Sequence, residues 1–444
     1  MVAYAVTLAG LVLVNAQLFH QRYYEKKLKQ DFDVELSDDD ASFDSDLAEE
    51  SSLSRLFRRY VAVYIFCSAA DWLQGSYTYS LYKSHHGLDD SAIARLFAIG
   101  FASAGVAGTF TGALADKYGR RVGCLSYCAL YSVSCAAMTM EDIRFLILGR
   151  VLGGISTTLL YSVFEAWLVT ELHHRNAYSE YIKETFTTLA TINGTVAIVC
   201  GICSQVLVYM TGSQKSPFLA SIWCLLIASA LIVRFWDENH GQEDKFGPNS
   251  NEIVSGPLGY RAVVVLGLGM CAMEGAMYAM ILLWTPAIQS SRDAAYATGE
   301  APLGLIFANF MCAMMLGSWL LELLTKLEHH SAGISHWTQL AMSVAASSLS
   351  LAVIMHGEAI RFLAFCVFEL CVGVYMPAMA AMKQSLIGNQ RRGQLYALMR
   401  LPLNIFVIGL LGMVGEHEVD RGRIFALCSA MLLTATILLW RWTR

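Results

Sequence analysis

Among the ionisable side chains inside stretches that are otherwise apolar and long enough to cross a lipid bilayer, six stand out as candidates. They are two arginines and four carboxylates, namely Arg150, Arg400, Asp71, Glu165, Glu274 and Glu369. A charge placed in hydrocarbon costs at least about 2.5–3.5 kcal/mol, so such side chains usually face a water-filled cavity, where they bind a ligand or one another. These residues are the first candidates for a functional site.

The two arginines could bind an anion, because a planar guanidinium donates forked hydrogen bonds that match a tetrahedral oxyanion. Arg150 is the first candidate for substrate contact, and Arg400 is the second. Gly154 would let the backbone approach the ion, and Ser156 would donate its hydroxyl. For Arg400, a gating or structural role stays open as the alternative.

The four carboxylates would repel an anionic substrate, and two roles resolve this conflict. They neutralise the arginines in the empty protein, or burial favours the protonated acid, which then carries a proton together with the anion. We predict Asp71 or Glu274 as the proton carrier, with Glu369 and Glu165 balancing charge. A structural ion pair between Arg150 and Asp71 or Glu369 is the alternative to substrate binding.

The composition indicates which elements must hold these residues. Of the 444 residues, 56% are hydrophobic and 15% are charged, against roughly 25% charged in soluble domains. Apolar runs of about 20 residues, the length of a membrane-spanning helix, recur along nearly the whole chain, so the sequence predicts an all-α membrane protein. We place thirteen spans at 2–19, 60–82, 92–114, 121–139, 144–168, 186–210, 217–236, 260–285, 302–325, 336–355, 359–382, 394–415 and 422–441.

These spans divide the chain into five segments. They are an N-terminal transmembrane helix (1–20), an acidic cytoplasmic loop (21–59), a six-helix half (60–236), a cytoplasmic linker (237–259) and a second six-helix half (260–444).

Weak internal matches relate the two halves. The tetrapeptide Ile-Arg-Phe-Leu occurs at 143–146 and again at 360–363, and Gly112 corresponds to Gly317. Together they indicate two parallel repeats.

The net charge of −5 arises from one segment, because residues 31–50 contain ten acids and no base. We predict that this segment is solvated and disordered. It is a solubilising spacer, or it binds a cytoplasmic partner or is phosphorylated at Ser37, Ser42 or Ser45. Basic residues concentrate in the loops on one side of the predicted spans, which places the N-terminus outside and the C-terminus in the cytoplasm.

The loop between the second and third spans of the first half reads GALADKYGRR and contains Gly112, Asp116, Gly119, Arg120 and Arg121. Its glycines permit a tight turn, and its acid can pair with an arginine or cap a helix. The loop resembles the GxLaDrxGrr signature of the major facilitator superfamily. That resemblance implies two six-helix halves that expose a central site alternately, with these five residues in a gate.

A second set of motifs resembles the molybdate-anion transporter family of that superfamily. The motifs are ADWLQ from residue 70, LGRVLGGIS from 148, FEAW from 164, LWTP from 283, APLGLIF from 301, GVYMPAM from 373 and RLP from 400. The resemblance extends from about residue 60 to the end and implies uptake of molybdate, a tetrahedral dianion, across the plasma membrane. In this superfamily the first, fourth, seventh and tenth core helices line the cavity, and here these helices carry Asp71, Arg150, Glu165, Glu274 and Glu369.

Two rival functions stay open: a carrier of a sugar, organic anion or drug, and a membrane sensor or scaffold that transports nothing. We find no nucleotide-binding motif, and the Cys200-x-x-Cys203 pair has no further metal ligand beside it. We therefore expect a carrier rather than an enzyme. The expected partners are the lipid bilayer, molybdate and a co-transported proton, without a cofactor, metal or nucleic acid.

Overall fold

The computed structural model describes residues 1–35, 43–241, 257–296, 299–327, 333–386, 392–415 and 417–443. The described residues form helices and connecting turns without a strand, which confirms the all-α prediction. The helices are α1 (Val2–Glu35), α2 (Phe43–Gly75), α3 (Thr78–Ser80), α4 (Asp90–Ala107), α5 (Thr111–Tyr118), α6 (Arg120–Met138), α7 (Ile143–His174), α8 (Ser179–Thr211), α9 (Ser216–Phe235), α10 (Pro257–Ala294), α11 (Leu303–Leu327), α12 (Gly333–Ile354), α13 (Glu358–Leu386), α14 (Arg392–Leu411) and α15 (Glu418–Thr443). A π-helical turn, Leu81–His85, follows α3.

Ten helices in the described part of the chain are long and apolar enough to cross a membrane. The remaining predicted spans coincide with α2, α6 and α14, which are more polar or are apolar over a shorter stretch. Helix α10 continues through Pro286, where the predicted span ends. Proline is tolerated inside membrane helices because neighbouring groups satisfy the freed backbone.

The two segments that we predict as loops are partly included in ordered elements. Residues 21–35 and 43–59 of the predicted acidic loop are helical, contrary to the disorder predicted for residues 31–35 and 43–50, and residues 36–42 lie outside the described residues. Residues 237–241 of the predicted linker are described, whereas residues 242–256 are not. The five segment boundaries stay predictions.

The chain forms two compact units, and the first unit comprises residues 12–77 and 103–243. Its core is built from α2 and α6–α9. Trp236, just after α9, stacks on Trp167 of α7 at 3.9 Å and on Tyr60 of α2 at 5.5 Å between ring centroids. These stacked rings join the middle of α2 to the last turns of α7 and to the chain just after α9.

The second unit comprises residues 1–11, 78–102 and 244–444. Within this unit, α11 and α13 approach each other closely at two glycines. A Cβ atom on Gly317 would meet the Leu370 carbonyl oxygen, and one on Gly373 would meet the Met314 carbonyl oxygen. Small residues commonly allow such close backbone approach between membrane helices.

The beginning of α1 is part of the second unit. Asn309 donates to the Tyr4 carbonyl oxygen at 3.1 Å, and the Tyr4 ring packs edge-on against Phe362 at 4.7 Å. The Tyr4 hydroxyl bonds to Glu358, which pairs with Arg292 at 2.6 Å. The N-terminal helix is therefore anchored to this unit by both polar and aromatic contacts.

The repeated Ile-Arg-Phe-Leu tetrapeptide has different environments in its two copies. Arg361 is buried and donates to the carbonyl oxygens of Ala287 at 3.0 Å and Ala352 at 3.1 Å, and to the Ser291 hydroxyl at 3.0 Å. Arg144, its counterpart, is exposed at the start of α7. Only the second copy joins α10, α12 and α13.

Candidate functional site

Asp71 lies on α2 in the first unit, and its carboxylate is bound by hydroxyl groups. Tyr131 of α6 donates to Oδ1 at 2.6 Å, and Tyr161 of α7 is a second hydrogen-bond partner. Three helices therefore meet at this acid. The sequence did not indicate either tyrosine, because spacing along one helix does not show what lies across from it.

Three polar pairs join α8 to the last turn of α2 and the two residues after it. In each pair the two atoms lie 3.0 Å apart: Trp72 Nε1 and Asn193 Oδ1, Ser76 Oγ and Ser204 Oγ, Tyr77 Oη and Gln205 Oε1. Such bonds are a common way of joining helices within a membrane. They hold the face of α2 next to Asp71 against the scaffold.

Helix α7 carries three of the four predicted substrate-binding residues. Arg150 is partly buried. Gly154 is buried one turn further on, and its carbonyl oxygen accepts a hydrogen bond from the Thr158 hydroxyl at 3.2 Å. Ser156 is fully buried and donates to the Leu152 carbonyl oxygen at 2.8 Å, so its hydroxyl is engaged within α7 in this conformation.

Other glycines of the same run pack against α6. The Ser134 hydroxyl donates to the Gly149 carbonyl oxygen at 2.6 Å, and a Cβ on Gly153 would lie 3.1 Å from the same hydroxyl oxygen. This close contact fixes the position of α7, and with it the position of Arg150.

The second unit buries polar groups on α13. Glu369 is only 4% exposed, and the side chains that the structure describes form no hydrogen bond or ion pair with it. Tyr375 is fully buried, and its hydroxyl has no hydrogen-bond partner among the described groups. Glu274 of α10 is partly buried and lies within electrostatic range of Tyr375. Buried polar groups are normally satisfied, so Glu369 and Tyr375 are candidates for contact with a ligand or a proton.

The structure gives less information about two further predicted site residues, Arg400 and Glu165. Position 400 lies in α14, but the Arg400 side chain is outside the described residues, and its two predicted roles stay predictions. Glu165 is exposed on α7 near the end that carries Trp167.

The predicted gating motif forms a cluster at the turn between α5 and α6. Asp116 pairs with Arg120 at 2.7 Å, and the Arg120 side chain donates to the Ala166 carbonyl oxygen of α7 at 3.0 Å. Gly119 has φ +111°, which an L side chain rarely adopts, and a Cβ there would collide with the Glu238 carboxylate. A Cβ on Gly112 would meet no atom within 4 Å.

The sequence did not indicate that the chain just after α9 completes this cluster. Glu238 accepts from the amides of Arg121 at 2.8 Å and Val122 at 3.2 Å, which is a favourable position for an acid at the start of α6. The Arg120 amide donates to the Asn239 carbonyl oxygen at 2.9 Å. The motif therefore joins α5, α6, α7 and residues 237–241 within the first unit.

A second ionic cluster, also missed from the sequence, lies in the second unit around Asp90 at the start of α4. Asp90 is 4% exposed. Its Oδ1 accepts from the Tyr79 hydroxyl at 2.8 Å and pairs with Lys83 at 2.8 Å, while Oδ2 lies 3.9 Å from Arg421 of α15. The only sequence signal was a pair of acids, Asp89 and Asp90, in front of an apolar run.

Membrane-spanning helices with acids and an arginine inside them, together with the motif cluster, define a class: a multi-pass carrier of the major facilitator type. Solved structures support this fold. A POT family peptide transporter superposes with a TM-score of 0.71 at 10% identity, covering 87% of this chain and 96% of its own. The xylose transporter of E. coli, in an inward-open conformation, superposes with a TM-score of 0.64 at 12% identity, covering 88% of this chain and 95% of its own.

Sequence comparisons define the family. Residues 38–365 match a family described as sugar transporters with 12 TM. The molybdate-anion transporter of Xenopus laevis is 32% identical over 391 residues, covering 85% of this chain and 84% of its own. The molybdate-anion transporter of Danio rerio is 31% identical over 428 residues, covering 87% of this chain and 86% of its own. The chain belongs to the molybdate-anion transporter family of the major facilitator superfamily, as its motifs predicted.

Proposed function

We propose that this protein carries molybdate across a membrane by alternating access and does no covalent chemistry. The observation that supports this most is the 32% identity, over 85% of the chain, to a protein named molybdate-anion transporter. A tetrahedral dianion requires a cation with several donors. Arg150, held in place by the α6–α7 contact, is the residue that we assign to it.

We further propose that a proton moves with the anion and that Glu369 carries it. Burial without a counter-charge penalises the ionised form of a carboxylate, and Glu369 is 4% exposed with no ion pair among the described side chains. Asp71, one of the two carriers expected from the sequence, is instead engaged by Tyr131. We assign Asp71 and Glu274 to charge balance around the substrate.

The experiment that tests the transport function is uptake of nanomolar molybdate by cells that lack their own carrier. We expect uptake with the wild-type protein and at least a tenfold loss in Arg150→Ala. Arg150→Lys keeps the positive charge but lacks the forked hydrogen-bond donors of the guanidinium, so it should recover only part of the flux. Arg144→Ala is the matched control, since it removes an exposed arginine from the same helix and should leave flux unchanged. Equal loss in both alanine variants, at equal surface expression, would contradict a substrate role for Arg150.

The proposed location is the plasma membrane, with the N-terminus outside and the C-terminus in the cytoplasm. In intact cells, an antibody should therefore label an epitope tag placed before Met1 and should reach a tag after Arg444 only once the membrane is permeabilised. The reverse pattern would contradict this orientation. The acidic segment 31–50 would then lie in the cytoplasm, where it could contact a partner.

A carrier of another solute is the second candidate, because the matching family is described as sugar transporters. A sugar has no charge that would require Arg150. Uptake of a labelled sugar that persists in Arg150→Ala, without molybdate uptake by the wild type, would favour this candidate. Absence of any flux at full surface expression would favour the sensor or scaffold.

A further inference from the structure

A cavity of about 140 Å³ opens in the first unit where residues 52–59 of α2 meet the ends of α7 and α9. Its lining includes neither Arg150 nor any of the acids assigned to transport. Its lining includes three arginines, two acids and an indole: Arg55, Arg59, Arg175, Glu171, Asp237 and Trp167. The positive charges exceed the negative ones by one.

One arginine and one acid of this cavity already neutralise each other. Arg175 pairs with Glu171 Oε2 at 2.5 Å and also donates to the Glu171 carbonyl oxygen at 3.0 Å. The other carboxylate oxygen of Glu171 accepts from Asn239 at 3.0 Å. Glu171 is therefore satisfied, and it holds Arg175 at the edge of the cavity.

Arg55 and Arg59 supply the remaining positive charge. They are one turn apart on α2, so they lie on the same face of that helix, and both are exposed. Arg59 lies over the Phe235 ring at 5.7 Å. Neither guanidinium forms an ion pair with the side chains that the structure describes, and Asp237 is the only acid of the lining left to oppose them.

The lining residues Arg175 and Asp237 follow the ends of α7 and α9, two helices long and apolar enough to cross a membrane, so the cavity lies where a span ends and headgroups begin. Trp167 lines it and stacks on Trp236, which stacks on Tyr60. All three rings are only 2% exposed, so the floor of the cavity is a packed part of the core. The indole nitrogen of Trp236 is buried without a partner among the described groups, and Phe235 beside it is 41% exposed.

We propose that this cavity binds a phosphate group, supplied by the headgroup of an anionic lipid. Guanidinium groups bind phosphate oxygens through paired, charge-assisted hydrogen bonds, and basic pockets between membrane helices accept anionic headgroups. The free phosphate ion shares this chemistry and is the second source. The cytoplasmic position of the cavity depends on the proposed orientation, but binding by the purified protein does not.

The test uses the purified full-length chain in detergent and short-chain phosphatidylinositol 4,5-bisphosphate as the probe, with affinity measured by thermophoresis. We expect the Arg55→Ala/Arg59→Ala double variant to bind at least tenfold more weakly. Arg58→Ala is the matched control, because Arg58 is an exposed arginine of the same helix that does not line the cavity. It should bind within twofold of the wild type. Asp237→Asn removes the opposing acid and should bind more tightly.

Two competition measurements distinguish a lipid headgroup from the free phosphate ion as the source of the phosphate group. Short-chain phosphatidylcholine should not compete, and inorganic phosphate should compete only at much higher concentration. Competition by inorganic phosphate at equal concentration would support the phosphate site and assign it to the free ion.

Three results would overturn the proposal. They are an equal loss in Arg58→Ala, unchanged binding in the double variant, and binding of a phosphorylated peptide of residues 31–50 instead of the lipid. No readout requires molybdate flux, so failure here is separate from failure of the proposed function.

Discussion

Glu369 and Asp71 show how differently two acids inside membrane helices can be accommodated. Asp71 accepts a hydrogen bond from Tyr131 at 2.6 Å, so its carboxylate is engaged by neighbouring helices. Glu369 is 4% exposed and receives no such bond from the described side chains. Because a buried charge without a partner is costly, a change of protonation should matter more at Glu369 than at Asp71.

The substitution Glu369→Gln preserves the shape of the side chain and removes its titration. If Glu369 carries the proton, wild-type uptake of molybdate rises as the external pH falls, and the variant loses this dependence. The measurement is the initial rate of uptake at acidic and neutral external pH, with surface expression as a reference. Asp71→Asn is the control and should keep the pH dependence even if its rate falls. A wild-type pH profile in Glu369→Gln would exclude Glu369 as the carrier.

At the scale of elements, the contact of α11 with α13 depends on two glycines. At Gly317 and Gly373 a side chain would meet the carbonyl oxygen of the facing helix, so the helix backbones touch. Backbone atoms cannot rotate away as a side chain can, and a methyl group there must push the helices apart. This contact positions α13, which carries Glu369 and Tyr375.

We expect Gly373→Ala to destabilise the protein by about 1–3 kcal/mol, the usual cost of forcing extra atoms into a packed interface. Thermal unfolding of the purified protein in detergent measures the effect. The matched control is Gly409→Ala in α14, where an added Cβ would meet no atom within 4 Å. Equal unfolding temperatures for the two variants would show that the α11–α13 contact is looser than the structure indicates.

At the scale of the whole molecule, the Asp90 cluster joins parts of the chain that are far apart in sequence. Tyr79 and Lys83 precede Asp90 closely, whereas Arg421 follows more than 300 residues later. Ser91 adds a hydrogen bond to the Val414 carbonyl oxygen at 3.1 Å. The second unit thus combines residues from both predicted six-helix halves.

Removing the Asp90 charge should leave two cations facing each other without an acid. We expect Asp90→Asn to cost about 3 kcal/mol of stability, because breaking a buried ion pair from one side leaves an uncompensated charge. Lys83→Gln should cost less, about 1 kcal/mol, since Lys83 is 44% exposed and solvent screens its charge. Thermal unfolding in detergent provides the measurement, and Asp89→Asn at the exposed neighbour is the control. An Asp90→Asn variant as stable as Asp89→Asn would contradict the cluster.

The sequence by itself determined the class of protein, its all-α fold and the family, and it located the GALADKYGRR motif. It could do so because a bilayer offers no hydrogen bonds to the backbone, so a spanning segment must be an apolar helix about 20 residues long. An ionisable residue within such a segment is conspicuous for the same reason, and Asp71, Arg150, Glu274 and Glu369 could be selected without a structure.

Only the tertiary structure decided which side chains contact one another across different helices. Tyr131 beside Asp71, Glu238 at the start of α6 and the cations around Asp90 are contacts between elements. Such contacts depend on the rotation and packing of each helix against its neighbours, and a run of apolar residues encodes neither.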